Sequence, residues 1–444
     1  MNLKIHQALF FFILPFLIFS TNIEDMAKRE TDTFWKYYYD ENDTSTFPFD
    51  EPSVLVQNDI LNTNRKASIL SKLNEYYPDW MSKISNSRRI DTITMPGTHD
   101  TCARHGYPLF KCQDRTLEEQ LTMGVRLIDI RCRHINDVFM IHHERSYQKL
   151  SFGSGVRDVC MNFLKKHPTE FIFMLVQEEW KPKDNSRTFD ETMYSYINCD
   201  EYRDYFYLSE NELPSIEKVR GKIVLLRRFN KDTLSNVDMG NYIRFADNDF
   251  FESKYTITTY GQDCYTVSSL FARSSKYKKV EEFFEKPKNF KHSSHTTLFL
   301  NFGSGQSLIC YPYSVAEYVT PRVGEYVEKS FPNDFLGIVI FDFVNRYYPK
   351  IIYHVIKRNF LPERNGGLPN TFTICDPENC TNKANGTNKL YVALVVIAAI
   401  VVVALIVLLI VFIVIRYKRK KSQQNISENE ASFDPSEKDE DSYQ

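Results

Sequence analysis

LIDIRCR, residues 127–133, alternates so that Asp129 and Arg131 share one face and Ile128 and Ile130 the other. That is a strand with one apolar face and one charged face. Short apolar runs of this kind recur at 90–95, 125–130, 138–141, 171–176, 223–226, 298–302 and 338–341. They are rich in Ile, Val and Phe, and stretches of helical length separate them, such as 156–166, 280–284 and 350–359. Buried strands alternating with helices predict a parallel α/β fold, either a (βα)8 barrel or an open doubly wound sheet. His99 and Asp100, Asp129 and Arg131, His143, Gln177, Arg228, Asn301 and Asp342 each fall near the C-terminal end of one run. In a barrel these ends form one mouth, where catalytic groups collect.

The ends of the chain fix an expected compartment. Residues 1–20 place Lys4 before an apolar run and a polar exit, the order of a secretory signal. Residues 390–415 form 26 consecutive uncharged positions. As a helix they would reach about 39 Å, more than the about 30 Å of a bilayer core. Arg416, Lys418, Arg419, Lys420 and Lys421 follow, which by the positive-inside bias predicts a single-pass type I membrane protein with its C-terminus in the cytosol. Its folded part would face the lumen or exterior, at the plasma membrane or in the secretory pathway. The expected organisation is a signal peptide (1–20), an arm (21–75), a barrel (76–362), a stalk (363–389), a transmembrane helix (390–415) and a disordered acidic tail (416–444).

Asn42, Asn379 and Asn385 begin glycosylation sequons on the expected outer side. Nine cysteines stand at 102, 112, 132, 160, 199, 264, 310, 375 and 380. An oxidising lumen predicts that several pair, with Cys375–Cys380 a plausible local bridge. No CxxC pair or His/Cys cluster points to zinc. The 55 Lys and Arg residues against 57 Asp and Glu leave a formal charge of −2, so no basic footprint for nucleic acid exists.

The polar residues admit a definite chemistry. In MPGTHDT, residues 95–101, Pro96 and Gly97 break the strand and leave His99 and Asp100 on a loop. His142 and His143 point to opposite faces of a strand, so only one can look into a barrel. Two histidines, an arginine and an aspartate suffice for ribonuclease-like phosphodiester cleavage. One imidazole acts as base, the other as acid, and the guanidinium neutralises phosphoryl charge. Taken singly, the His99–Asp100 pair and the Asp129–Arg131 pair also read as ordinary structural contacts.

MPGTHDT, DIR, HH, HPTEFIFML, RGKIVLLRRF, QDCY and GIVIFDFVN follow one another across residues 85–361. Their order and spacing resemble the bacterial phosphatidylinositol-specific phospholipase C family, which implies a distorted, incompletely closed (βα)8 barrel. The resemblance implies that His99 is the general base toward the inositol 2-hydroxyl and that Asp342 is its carboxylate partner. It implies that His143, with His142 as the alternative, is the general acid, that Asp100 supports it, and that Arg131 stabilises the phosphate. Asp129, Gln177, Arg228, Asp263 and Tyr265 then fall at inositol-contacting positions, with Tyr265 stacking under the ring. Two departures stand out: Glu144 where the family often has glycine, and Gln177 where bacterial members carry a lysine. The implied reaction is metal-independent and needs no cofactor, because Arg131 sits where calcium-dependent relatives place their ion. It yields inositol 1,2-cyclic phosphate and diacylglycerol from phosphatidylinositol or a glycosylphosphatidylinositol anchor. A catalytically silent barrel serving as a surface receptor is the alternative, motivated by Gln177, Glu144 and the long tail.

Overall fold

The computed structural model describes residues 76–291, 296–330 and 334–360. The expected signal, arm, stalk, transmembrane helix and tail, the sequons and the Cys375–Cys380 bridge lie outside these residues. Among the described residues no helix is long and apolar enough to cross a membrane.

Among the described residues twelve strands form one curled sheet. In chain order they are β1 (Met95–Thr98), β2 (Leu127–Ile135), β3 (Val138–His143), β4 (Ser146–Ser151), β5 (Ile172–Glu178) and β6 (Phe206–Tyr207). Then come β7 (Ile223–Arg227), β8 (Asn241–Tyr242), β9 (Phe250–Lys254), β10 (Thr258–Gln262), β11 (Thr297–Phe302) and β12 (Ile338–Phe341). The path runs β6-β7-β5-β2-β1-β12-β11-β10-β9. Every pairing along it is parallel except β9 with β10. Among the described residues the α-helices are α1 (Leu117–Met123), α2 (Asp158–Lys166), α3 (Phe189–Ile197), α4 (Arg273–Lys288), α5 (Pro312–Lys329) and α6 (Ile351–Lys357).

This curled, mostly parallel sheet is a distorted barrel rather than a closed one. β6 and β8 share the outer edge of β7, β6 on its first half and β8 on its second. Between β8 and β9 the strand ladder lapses. Side-chain bonds cross there instead, from Tyr242 N to Thr256 Oγ1 at 2.9 Å and from Arg244 N to Ser253 Oγ at 3.0 Å.

The apolar runs become strands because both of their faces are covered: β1, β7, β11 and β12 are buried at every residue. Gly97 lets β1 pack closely: a Cβ there would sit 3.1 Å from the Ile340 and Leu127 side chains, which would have to give by a few tenths of an ångström. Helices begin where the sequence offers caps. Thr116 with Glu119 and Thr188 with Glu191 form capping boxes at α1 and α3, and Gly124 ends α1 in the left-handed conformation.

The run at 138–141 departs from expectation: β3 is antiparallel to β2 and β4, a hairpin arm off the barrel rather than a barrel strand. Two residues, Asn136 and Asp137, both with positive φ, turn the chain, and so short a connection cannot make a parallel crossover. Ile90–Thr92 is a 3-10 turn, and the strand starts only at Met95; it runs through Pro96 and Gly97, which pair with Val339 and Ile340 instead of breaking it. Cysteine pairing is also corrected: none of the seven described cysteines forms a disulfide, and all are buried. They fill core positions as small apolar side chains.

Candidate active site

Strands β1, β2, β3, β5 and β12 and the loop before α1 build the mouth. Gln113 donates from Nε2 to the carbonyls of His99 (2.8 Å) and Phe341 (3.0 Å), tying the ends of β1 and β12 together. His99 and Asp342 thereby meet. His99 Nδ1 lies 2.9 Å from Asp342 Oδ1, and its other nitrogen, Nε2, lies 2.6 Å from Arg131 Nη2. A guanidinium can only donate, so Nε2 carries a lone pair and Nδ1–H donates to the carboxylate. His99 is thus a neutral ring held in the tautomer a base requires. Burial disfavours its imidazolium, but Asp342 outweighs burial and Arg131, and the pKa ends above the usual histidine value. Burial likewise lifts the Asp342 carboxyl against the pull of His99 and Arg131.

Arg131 is the hub of the mouth. Its guanidinium lies 3.3 Å from Asp129, 3.7 Å from Asp100 and 4.0 Å from Glu179. Burial works against its charge, and the three carboxylates hold the proton firmly in place. Asp129 stays ionised: Arg131, His99 and Arg228 pull its pKa down against burial. It also accepts from Asp100 N at 3.0 Å, while Thr101 Oγ1 accepts from Asp129 N at 2.8 Å.

His143, not His142, faces the site. Its Nδ1 lies 3.2 Å from Asp100 Oδ2 and 3.2 Å from the Phe110 carbonyl, and its ring centroid is 6.5 Å from that of His99, the two rings perpendicular. His142 packs away from the mouth against Tyr147. Burial, Arg131 and His99 push the His143 pKa down to about 3, while burial pushes Asp100 well above the usual carboxylate range. The pair is therefore neutral as a whole when the mouth holds no anion. Glu144, just after it, adopts φ +48°, a conformation glycine favours. Its N–H donates to Glu179 Oε1 at 2.6 Å.

The other expected contacts spread around the rim. Gln177 donates to Glu179 at 2.9 Å, and Arg228 stacks over Phe245 with its guanidinium carbon 3.7 Å from the ring centre. Asp263 and Tyr265 stand beyond β10 and make no hydrogen bond to either imidazole. The Tyr265 hydroxyl donates to Asp247 at 2.7 Å, which with burial pushes its pKa up to about 12. Asp263 acts at longer range, through its charge on Arg228 and Lys276.

Sequence reasoning missed several groups. Glu179 is a buried carboxylate joining Gln177, Glu144 and Arg131; as the residue after β5, it had the signal of a strand-end acid. Gln113 carries no motif. Lys276 on α4 is buried and donates to Gln262 Oε1 at 2.9 Å, the same oxygen that accepts from Cys264 N. It thus braces the turn holding Asp263 and Tyr265. Cys112 puts its sulfur 3.6 Å from His143 Nδ1.

Residues 95–229 match the family described as phosphatidylinositol-specific phospholipase C, X domain. A 1-phosphatidylinositol phosphodiesterase of Listeria monocytogenes is 30% identical over 297 residues, 63% of this chain and 84% of the relative. One from Staphylococcus aureus is 26% identical over 63% of this chain and 94% of its own length. Among solved structures, a pentafluoro-Phe-containing phosphatidylinositol-specific phospholipase C from Staphylococcus aureus superposes with a TM-score of 0.58 at 26% identity, covering 66% of this chain and 99% of that one. The Listeria monocytogenes enzyme gives 0.51 at 28% identity, covering 64% and 98%.

Proposed function

This chain belongs to the phosphatidylinositol-specific phospholipase C family, and from that premise we propose how its mouth cleaves phosphatidylinositol as a phosphodiesterase. The observation that carries the reading is the pair of perpendicular imidazoles 6.5 Å apart, each backed by its own carboxylate, with Arg131 between them.

The phosphate enters between the rings, and Arg131 turns its Nη2 from His99 to a phosphoryl oxygen. His99 Nε2 is then free to take the proton of the inositol 2-hydroxyl as that oxygen attacks phosphorus. Asp342 accepts the Nδ1–H and steadies the imidazolium that forms. On the other side the bond from phosphorus to the glycerol oxygen breaks, and His143 with Asp100 supplies the proton to that oxygen. The bound phosphate offsets the charges of Arg131 and His99, two of the causes that keep His143 unprotonated in the empty mouth. Substrate thus arms the acid. The products are diacylglycerol and inositol 1,2-cyclic phosphate, which water then opens in a slower step. Arg228, Asp263, Asp129 and Gln177 face the inositol hydroxyls, and Tyr265 lies against the ring.

Arg131 supplies the positive charge a metal would otherwise bring, so the reaction runs in chelator. The rim also suits a lipid surface. Leu270 and Phe271 on the β10–α4 loop and Leu308 and Ile309 on the β11–α5 loop are exposed, Phe271 by 92%. The two loops are joined by Gln306 N to Tyr265 O at 2.8 Å and Val267 N to Gln306 O at 3.1 Å. An exposed apolar cluster beside the mouth suits docking on a bilayer. With the sequence-based topology, the leaflet it meets is the outer one, which favours exofacial phosphatidylinositol and glycosylphosphatidylinositol anchors.

The test is cleavage of phosphatidylinositol vesicles by the purified chain. Release of water-soluble inositol phosphate is expected, and its loss in His143→Ala; failure to cleave with wild-type protein overturns the reading. Release of anchored surface proteins from cells expressing the chain, lost in His99→Ala, tests the substrate. Protease accessibility on intact cells tests the topology.

A further inference from the structure

Cys112 lies on the loop before α1, its backbone fixed by Cys112 N to Ala103 O at 2.9 Å and Phe343 N to Cys112 O at 2.8 Å. The thiol is fully buried, yet it projects between the two His–Asp pairs. The reaction proposed above gives it no part. Its sulfur, His143 Nδ1 and an Asp100 oxygen all lie within 4.8 Å of one another. Neither Asp100 carboxylate oxygen accepts a hydrogen bond, and both are buried. A carboxylate, ion-paired with His143 and Arg131 but accepting no hydrogen bond, a thiol, and an imidazole nitrogen that also faces the Phe110 carbonyl at 3.2 Å converge on one point and are a ligand set for a thiophilic divalent cation.

The distances agree with that geometry. Tetrahedral zinc, with bonds of about 2.0–2.1 Å to nitrogen and oxygen and about 2.3 Å to sulfur, holds N and O ligands about 3.3 Å apart and N and S ligands about 3.6 Å apart. Here His143 Nδ1 lies 3.2 Å from Asp100 Oδ2 and 3.6 Å from Cys112 Sγ. Only the sulfur–oxygen edge has to tighten, by side-chain rotation. Cys112 also neighbours His99 and Asp342, where an ion would have to break their 2.9 Å bond; at Asp100 and His143 it displaces only the longer 3.2 Å contact of Nδ1 with the Phe110 carbonyl.

We propose that Asp100, Cys112 and His143 form an inhibitory Zn2+ site inside the catalytic mouth. Zinc enters past His99, whose side chain is 14% exposed. The S–H bond breaks as the Zn–S bond forms, the Asp100 carboxyl gives up its proton as its oxygen binds, and the His143 ring carries its proton on Nε2 once Nδ1 holds the metal; the two released protons leave to solvent. Thiolate and carboxylate together neutralise the ion, which limits repulsion from Arg131, 3.7 Å from Asp100. With Nδ1 and Asp100 both held by metal, His143 loses the carboxylate that supports its proton, and the leaving oxygen is left without its acid. A phosphodiesterase that needs no metal would thus be switched off by one.

Metal binding here does not depend on the substrate; its effect on catalysis rests on the function proposed above. The test uses the full-length chain, first stripped by chelator, and two readouts. Titration with Co2+, a spectroscopic stand-in for Zn2+, should give one ion per chain with a thiolate-to-metal charge-transfer band. Zn2+ should displace it and, in the vesicle assay, inhibit in the micromolar range, reversibly with chelator. Cys112→Ser should abolish the band and weaken zinc inhibition, measured against that variant's own zinc-free rate, on the order of 100-fold. Asp100→Asn keeps the shape of the side chain and should weaken Co2+ binding about tenfold or more. A charge-transfer band that persists in Cys112→Ser, or no Co2+ binding by wild type in the micromolar range, overturns the site. A chain that binds Co2+ through Cys112 but cleaves no phosphatidylinositol leaves the site standing and overturns the proposed function instead.

Discussion

Arg126 and Arg131 stand five residues apart, Arg126 immediately before β2 and Arg131 midway along it, and their surroundings differ in kind. Arg126, at the floor of the barrel, is wholly buried and saturated. It donates to the carbonyls of Leu121 (2.6 Å), Val125 (2.8 Å) and Pro78 (2.6 Å) and pairs with Glu170 at 2.8 Å. Glu170 in turn accepts from Met81 N at 3.1 Å and Thr169 Oγ1 at 3.0 Å. Arg131, at the mouth, faces three carboxylates and an imidazole, and oxygens of Asp100, Asp129 and Asp342 around it lack a hydrogen-bond partner. A polar cluster built to hold a fold closes its hydrogen bonds; one built to receive a substrate leaves some open. One short stretch of chain thus carries a structural arginine at the entry to β2 and a working one midway along it.

The comparison can be broken most sharply at the mouth. His99→Ala should cut phosphatidylinositol cleavage by up to about 10⁴-fold, the upper range for a lost general base, while thermal melting stays close to wild type. A large fall in melting temperature with little loss of rate would mean that mouth and floor play the same part.

At the floor the expectation inverts. Arg126→Met leaves Glu170 buried and unpaired, and should destabilise by about 3–5 kcal/mol in denaturant titration while the folded fraction keeps its turnover. Replacing both residues, Arg126→Met with Glu170→Leu, should recover most of that loss. If the double variant is no more stable than the single one, the floor pair is not the self-contained unit described.

Asp342→Asn comes next, with an expected loss of about 10²-fold in kcat/KM. Its pH profile carries the sign. Asp342 is the main influence raising the His99 pKa, and the base works only when neutral. Removing the carboxylate should therefore move the acid limb of kcat/KM to lower pH. A shift upward, or none, would separate Asp342 from the base.

Gln177→Lys should give the smallest effect, a few-fold change in KM. It returns a positive charge to a rim where Gln177 leans on Glu179 at 2.9 Å. A kcat change without a KM change would place Gln177 nearer the reacting atoms than the rim.

Much of this molecule was legible in the sequence, for reasons these two arginines make plain. Strands buried on both faces, such as β5, β7, β11 and β12, appear as unbroken apolar runs, and the polar residues closing them mark the mouth. β9 and β10 escaped because they sit where the barrel opens. Their burial alternates, and FFESK and TTYGQ contain too few aliphatic side chains to stand out. α5 escaped because Pro321 lies inside it and Pro312 opens it. β3 was misread because an apolar run does not say whether its neighbour runs parallel. His99, Arg131, His143 and Asp342 stood in recognisable motifs. Gln113, Lys276 and Cys112 did not: each matters through a contact with a residue distant in sequence, and no local pattern records such a contact; Glu179 carried only the weak signal of an acid following a strand.

The central claim is that two imidazoles pass a phosphoryl group from glycerol to the inositol's own hydroxyl before water takes part. Phosphorus NMR of the purified chain acting on phosphatidylinositol, in excess chelator, tests it directly. The account predicts a cyclic phosphodiester resonance that precedes any phosphomonoester and is absent with His99→Ala. A phosphomonoester arising from the first turnover, with no cyclic species before it, would contradict it.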